Sequence, residues 1–315
     1  LTKRHAFEWK EAPEVTSIAL KRVKEFRGRR FFQYLMYGDL HYEYTQHKEF
    51  VFGPSRKDTL GPEWASSLAA PVSPAEQKLR AGKLARYNSE LGFTDHAIGE
   101  YLAGLKELGL YDDSLIIFCA DHGEEFLEHG SYGHVKTLYH EVTSVPLLVK
   151  FPRQRQGRVV AGKFAMIDLA PSIMKIIGGN YSRLGLHGEG EDLPVLLRCV
   201  DKPIFCSTIN KARSVMSGHA KYSDMGDLSP WWKERKLAPA ARARRQVFDL
   251  RIDPGEYQDI TPSKPEVASV LTDLLRDHDT YLSKTDVVFG KARPISMADQ
   301  EQSRERLRAL GYLQE

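Results

Sequence analysis

Three observations predict an α/β fold. Two short apolar runs, Leu115 to Ala120 and Val145 to Val149, are rich in branched residues and bounded by polar ones. That is the pattern of sheet strands buried on both faces. A long stretch of helical spacing, from Ser73 to about Leu108, delivers the chain to the first of them. Ionisable side chains then crowd the segment past that strand's carboxyl end, where open α/β sheets hold their ligands.

At 315 residues the chain has room for one large α/β domain with a smaller one beside it. We expect a core over residues 1–200 and a C-terminal subdomain over 201–315. The net charge of +3 gives no electrostatic footprint for nucleic acid or an anionic membrane. No apolar run approaches the length of a membrane span. The cysteines, Cys119, Cys199 and Cys206, are too scattered for a disulfide framework or a zinc knuckle. Cys119, inside an apolar run, reads as a small buried hydrophobe.

The elements follow in order. Ala12-Pro13-Glu14 starts a helix, with proline early and an acid in the first turn. Val15, Ile18, Ala19, Val23 and Phe26 form its apolar stripe, and the basic cluster Arg27 to Arg30 ends it. Phe31 to Tyr37 reads as a further buried strand, running into Asp39 and His41. These two follow their strand much as Asp121 and His122 follow theirs. Residues 45–72 lack periodicity and read as a long loop.

Ser73-Pro74-Ala75-Glu76 combines an N-cap, a proline at the first helical position and an acid at the third. The helix runs to about Leu108, with a possible break at Gly92 and a stop at Gly109. Tyr87, Glu90 and Asp95 read as surface and packing residues along it. The run Leu115 to Ala120 then meets Asp121, His122 and Gly123. Beyond these stand Glu124, Glu125, Glu128, His129, His134, Lys136, His140 and Glu141.

Ile167 to Gly178 is a short amphipathic helix, and 179–201 a glycine-rich loop. Strands at Pro203 to Ser207, Ala212 to Ser217, around Tyr222, and at Gln246 to Leu250 make a small antiparallel sheet. The 230–245 insert is basic and carries Trp231 and Trp232. Asp253-Pro254-Gly255-Glu256 is a turn, and helices over Lys264 to Leu282 and Met297 to Leu310 close the chain.

Several of these segments, in order, resemble sulfatases of the alkaline phosphatase superfamily. Asp121-His122-Gly123-Glu124, with Glu128-His129-Gly130, Gly133-His134, Leu138-Tyr139, Glu141 and Val145-Pro146-Leu147, is similar to that family's signature past its metal-bearing strand. Phe31 to Tyr44 resembles the strand ending in H-x-P-Y, with Glu43 in place of proline. Ile167 to Ser172 resembles the family's DLAPT helix. Val247 to Leu250 with Asp253 to Glu256 resembles its LYDL…DPGE strand and turn, and Leu307 to Leu313 a common tail.

The resemblance implies an alkaline-phosphatase-like α/β/α sandwich, here partial and lacking its N-terminal strands, with a small C-terminal antiparallel sheet and helices. It implies metal-dependent hydrolysis of small-molecule or saccharide sulfate esters. Phosphodiesterase, phosphonate monoester hydrolase or phosphotransferase chemistry is the alternative within the superfamily, and a non-catalytic pseudoenzyme the alternative outside catalysis. Asp121 and His122 match metal ligands. The divalent cation is calcium first, with manganese or zinc admitted by the imidazole. His41 and His134 match residues that contact the ester and its leaving oxygen, and Lys136 would add fixed positive charge for substrate binding. The resemblance also implies work outside the cytoplasm.

The family's nucleophile motif, C/S-x-P-S/A-R with formylglycine formed from its cysteine in sulfatases, has no counterpart. Phe52-Gly53-Pro54-Ser55-Arg56 has phenylalanine where the nucleophile belongs and lies after the His41 strand, so it reads as loop. The paired acidic ligands near the family's amino terminus have no counterpart either. The expectation is a carboxyl-terminal portion, inactive alone.

Overall fold

The computed structural model describes residues 10–41, 43–52, 73–134, 136–160, 162–179, 203–208, 212–226 and 245–288. The expected helix over Met297 to Leu310, the basic insert with its two tryptophans and nearly all of 179–201 lie outside them.

Helix α1 (Ala12–Glu25) starts with Pro13 in its first turn and buries Ala12, Thr16, Ala19 and Val23, a one-sided face. Its first free N–H is capped from a distance, since Ala12 N donates to Asp39 Oδ1 at 2.9 Å. Asp39, grouped with His41 by the sequence, is thereby committed to the helix start. Burial raises its pKa, against the lowering effect of that bond. Helix α2 (Pro74–Glu107) carries the full capping box between Ser73 and Glu76. It ends at Leu108, and Gly109 takes a left-handed φ of +69°. No break occurs at Gly92. That position instead admits the ring of Phe52, which a β-carbon there would meet at 2.5 Å. The Thr16 hydroxyl ties the two helices through Ala97 O at 2.9 Å.

Two readings along α2 and before it are corrected. Glu90 is buried, not surface: it binds the His47 ring at 2.9 Å and accepts from Thr45 N, while Ser89 accepts from His47 N at 2.8 Å. The segment Phe31 to Tyr37 has the alternation of a strand but joins no ladder among the described residues. Gln33 and Tyr37 face the helices, through Ala19 O, Tyr101 and Thr16, whereas Phe32 and Tyr34 point outward and are exposed. A strand assignment needs backbone partners, and apolar composition alone cannot supply them.

Strand β1 (Ile116–Cys119) leads into the ionisable segment. Within that segment β2 (Glu125–Phe126) pairs with β3 (Tyr132–Gly133), and a single turn of helix follows, α3 (His140–Thr143). β1 pairs antiparallel with β4 (Leu147–Lys150), Phe118 opposite Leu148. Both of these side chains are exposed, as is Cys119, so the expected burial of this pair is not met among the described residues. A 3₁₀ turn at Met166–Asp168 opens into α4 (Leu169–Ile176), where Ser172 donates to Asp168 O at 2.6 Å.

The C-terminal strands are as expected. β5 (Ile204–Ser207), β6 (Arg213–Ser217), β7 (Ala220–Asp224) and β8 (Arg245–Asp249) form an antiparallel meander in that order. Helix α5 (Pro265–Val288) covers one face, where Val215, Tyr222 and Val247 meet Leu271 and Leu275. The other face sets Ala212 and Phe248, with Met225 just past β7, against Leu138 and Tyr139. Alternation along β8 sends Val247 to the helix and Phe248 to the loop. The sheet is thus packed directly on the segment that carries the ionisable residues.

Candidate functional site

The carboxyl end of β1 sets Asp121, His122 and Glu124 in one short stretch. Asp121 Oδ1 accepts the His122 backbone N–H at 3.0 Å, and the rest of its side chain is 74% exposed. His122 Nδ1 lies 2.9 Å from Gly123 O. A carbonyl only accepts, so in the neutral ring the proton sits on Nδ1 and the Nε2 lone pair is available. That lone pair lies 3.8 Å from Asp121 Oδ2.

This arrangement fits a divalent cation. A ligating histidine ordinarily donates its other ring N–H to a carbonyl or carboxylate, which fixes ring and tautomer. Here the Gly123 carbonyl does so, and two acceptors of opposite softness converge. Among the described residues no group of three such donors forms, so the pair is at most part of a ligand set.

Three imidazoles meet at this point. The His122 and His134 rings stack with centroids 4.0 Å apart, and His41 meets His134 edge-on at 5.4 Å. His134 follows β3, and His41 follows the extended 31–37 segment, so three separate elements converge. A buried carboxylate holds the centre: Glu124 Oε1 is 3.0 Å from His134 Nδ1, and Glu124 Oε2 accepts from the Tyr44 hydroxyl. The sequence includes Glu124 and Tyr44 in motifs but gives neither a role. Their use depends on a contact across 80 residues. Lys136 lies in the same loop and donates to Tyr132 O at 3.1 Å.

A second ionic cluster lies behind the first. His129 Nδ1 is 2.6 Å from Glu141 Oε1, and its Nε2 is 3.0 Å from the carbonyl of Glu256. Its ring stacks on Tyr139 at 3.6 Å. Burial lowers the His129 pKa, but Glu141, with help from Glu125 and Glu256, outweighs it, and the net shift is upward. Glu125 accepts from Ser131 N and Thr137 Oγ1, at 2.9 and 2.8 Å. Complete burial and the charge of Glu141 push its pKa up to about 7. Lys221 Nζ pairs with Glu256 Oε1 at 2.6 Å, both side chains buried. From the other side Arg80 of α2 donates to Phe126 O at 2.7 Å. The sequence names His129 and His140 only among the polar residues beyond the Asp121–His122 pair. His129 is behind it, and His140 is half-buried, with its pKa lowered by burial and by Lys221.

The Sulfatase family profile matches residues 13–179. Arylsulfatase K of Bos taurus is 27% identical over 195 residues, 60% of this chain and 35% of that protein. The ulvan-active sulfatase of Formosa agariphila is 26% identical over 255 residues, 76% of this chain and 48% of that protein. The chain therefore spans between about a third and a half of the length of these relatives. Among solved structures, a Bacteroides thetaiotaomicron protein described with the metabolism of multiple glycosaminoglycans superposes at TM-score 0.61 and 20% identity. That match covers 85% of this chain and 54% of the other. Phosphonate monoester hydrolase from Silicibacter pomeroyi superposes at 0.58 and 20%, over 87% and 60%. These likenesses carry the fold, which is alkaline-phosphatase-like with a small antiparallel sheet.

Proposed function

The chain belongs to the sulfatase family, and we propose that it provides the metal-binding and anion-contacting side of a sulfuric ester hydrolase. One observation carries the reading: His122, its Nδ1 fixed on the Gly123 carbonyl, turns Nε2 toward Asp121 while its ring stacks on His134. Asp121 and His122 would hold the divalent cation. Calcium suits the hard carboxylate, and manganese or zinc the imidazole. A cation held there would supply Lewis-acid polarisation of the ester oxygens.

The chain's own residues do the rest. Glu124 holds His134 by Nδ1, which leaves contact with the ester to Nε2. His41, edge-on to His134, donates a hydrogen bond or a proton to the departing oxygen. Lys136 adds positive charge to the same wall and contacts the anion. Substrates are small-molecule or saccharide sulfate esters. The phosphonate monoester hydrolase likeness in fold favours a second reading, hydrolysis of phosphate or phosphonate esters at the same site.

No C/S-x-P-S/A-R motif occurs in these 315 residues. We therefore assign the attacking group, formylglycine in the sulfatase reading, to polypeptide outside them. The division into residues 1–200 and 201–315, and work outside the cytoplasm, belong to the same proposal. Among the described residues no helix is long and apolar enough to cross a membrane.

The test is turnover of aryl and saccharide sulfates, and of phosphonate esters, with calcium or manganese. The chain alone is expected to be inactive, and to gain activity when co-expressed with a relative's segment bearing the nucleophile motif. Robust turnover by the chain alone, or none after complementation, overturns the reading.

A further inference from the structure

We propose that Glu256, secured by Lys221, is a positioning residue: from the turn after β8 it fixes the His140–Val142 backbone, against which Gly123 and hence His122 are set. The inference takes its importance from the site reading above, but its geometry and its test do not depend on that reading.

Glu256 is completely buried and makes three contacts, with β7, α3 and the segment between β2 and β3. Oε1 pairs with Lys221 Nζ at 2.6 Å, Oε2 accepts the His140 N–H at 3.1 Å, and its carbonyl accepts His129 Nε2 at 3.0 Å. The backbone is bent to permit this. Glu256 has a φ of +58°, a left-handed conformation that is unfavourable for a non-glycine residue. Asp253 holds that turn by accepting from Tyr257 N and Gln258 N, at 3.1 and 2.7 Å. Lys221 stands opposite Phe248 on the strand ladder, and its ammonium also reaches Thr143 Oγ1 at 3.4 Å. A buried carboxylate without such a cation would be strongly unfavourable.

The far side of the same three residues carries Gly123. Its N–H donates to Val142 O at 2.8 Å, and a β-carbon at position 123 would lie 2.0 Å from Glu141 O. The hydrogen bond and the close passage of the two backbones tie the position of Gly123 to that of 140–142. The Gly123 carbonyl in turn holds His122 Nδ1. A continuous line of contacts thus runs from Lys221 through Glu256, His140–Val142 and Gly123 to the ring of His122. The simpler alternative is that Lys221 and Glu256 only hold the sheet against the loop.

Amide hydrogen exchange at Gly123, read residue by residue, separates the two. Leu271→Ala, on the opposite face of the sheet, serves as a control that destabilises without touching this line. In Glu256→Ala, exchange at Gly123 is expected to speed by about tenfold more than in Leu271→Ala at equal loss of global stability, with a shift in the His122 ring ¹⁵N resonances. Glu256→Gln keeps an oxygen for His140 N–H and is expected to recover most of the protection. Should Glu256→Ala fail to fold, the double variant Lys221→Met with Glu256→Gln removes both charges and keeps that oxygen. It is expected to protect Gly123 within about threefold of the parent. Equal exchange in Glu256→Ala and the control, no recovery with glutamine, or lost protection in the folded double variant overturns the proposal. The readout needs neither metal nor turnover, so failure of the hydrolase reading would leave it standing.

Discussion

His129 and Glu141 meet at 2.6 Å in a buried site, with the second ring nitrogen of His129 bonded to a carbonyl 127 residues away. Both ring nitrogens face acceptors, an arrangement that favours the imidazolium and raises the His129 pKa above its ordinary value. Its positive charge, with that of Lys221, faces Glu141, Glu125 and Glu256, while the rings of Tyr139 and Tyr257 enclose it. Once Glu125 is protonated, which its pKa of about 7 allows, these two cations face two carboxylates.

That balance gives stability a pH dependence. Glu125 and His129 both have pKa values raised on folding. A raised group contributes stability in full below its unfolded value and loses it as pH rises through its folded value. For Glu125 the window runs from about 4.5 to about 7. Melting temperature is expected to fall across this window. Glu125→Gln keeps an acceptor for Ser131 N and removes the ionisation, so it should flatten the fall. At pH 8 it should stabilise by a few kcal/mol, about 2 to 3. Thermal melts of both proteins at pH 5 and 8 check this. An unchanged slope in the variant would contradict it.

Gly123→Ala tests the close approach of α3 to the segment that follows β1. The obstructing atom is a backbone oxygen, which cannot rotate away as a side-chain tip would. We expect a loss of about 3 kcal/mol in chemical denaturation. A loss under about 1 kcal/mol would mean the two backbones part easily.

Glu124 serves two donors at once, His134 Nδ1 and the Tyr44 hydroxyl. Glutamine offers one oxygen and a group that cannot accept. Glu124→Gln is therefore expected to cost about 1 to 2 kcal/mol and to free the His134 ring, visible as altered ring resonances. Tyr44→Phe should leave the His134 resonances close to the parent, because Glu124 Oε1 still holds the ring. If the two variants disturb His134 equally, the carboxylate is not what orients it.

Much of the fold was legible because its signals are local. The Ser73–Glu76 capping box needs four residues, and the β5 to β8 meander needs only alternation and turns between short strands. Motif spacing singles out Asp121, His122 and His134, and the rings of His122 and His134 do come together. What was not legible depends on distant partners. Phe31 to Tyr37 alternates like a strand, but its place in a ladder depends on which backbone lies beside it. Glu90 looks like any acid on a long helix until His47 and Thr45 fold onto it. Asp39 resembles a site residue until the start of α1 claims it. The Glu256–His129 contact joins elements that no periodicity connects.

If Asp121 and His122 hold a divalent cation, calcium or manganese should raise the melting temperature of the chain. At a cation concentration about ten times Kd, binding to the folded state alone stabilises by about 1.4 kcal/mol. For a chain of this size that is a rise of about 2 to 4 °C. The parent is expected to show such a rise and Asp121→Ala none. No rise in the parent, or an equal rise in Asp121→Ala, would contradict cation binding by this pair.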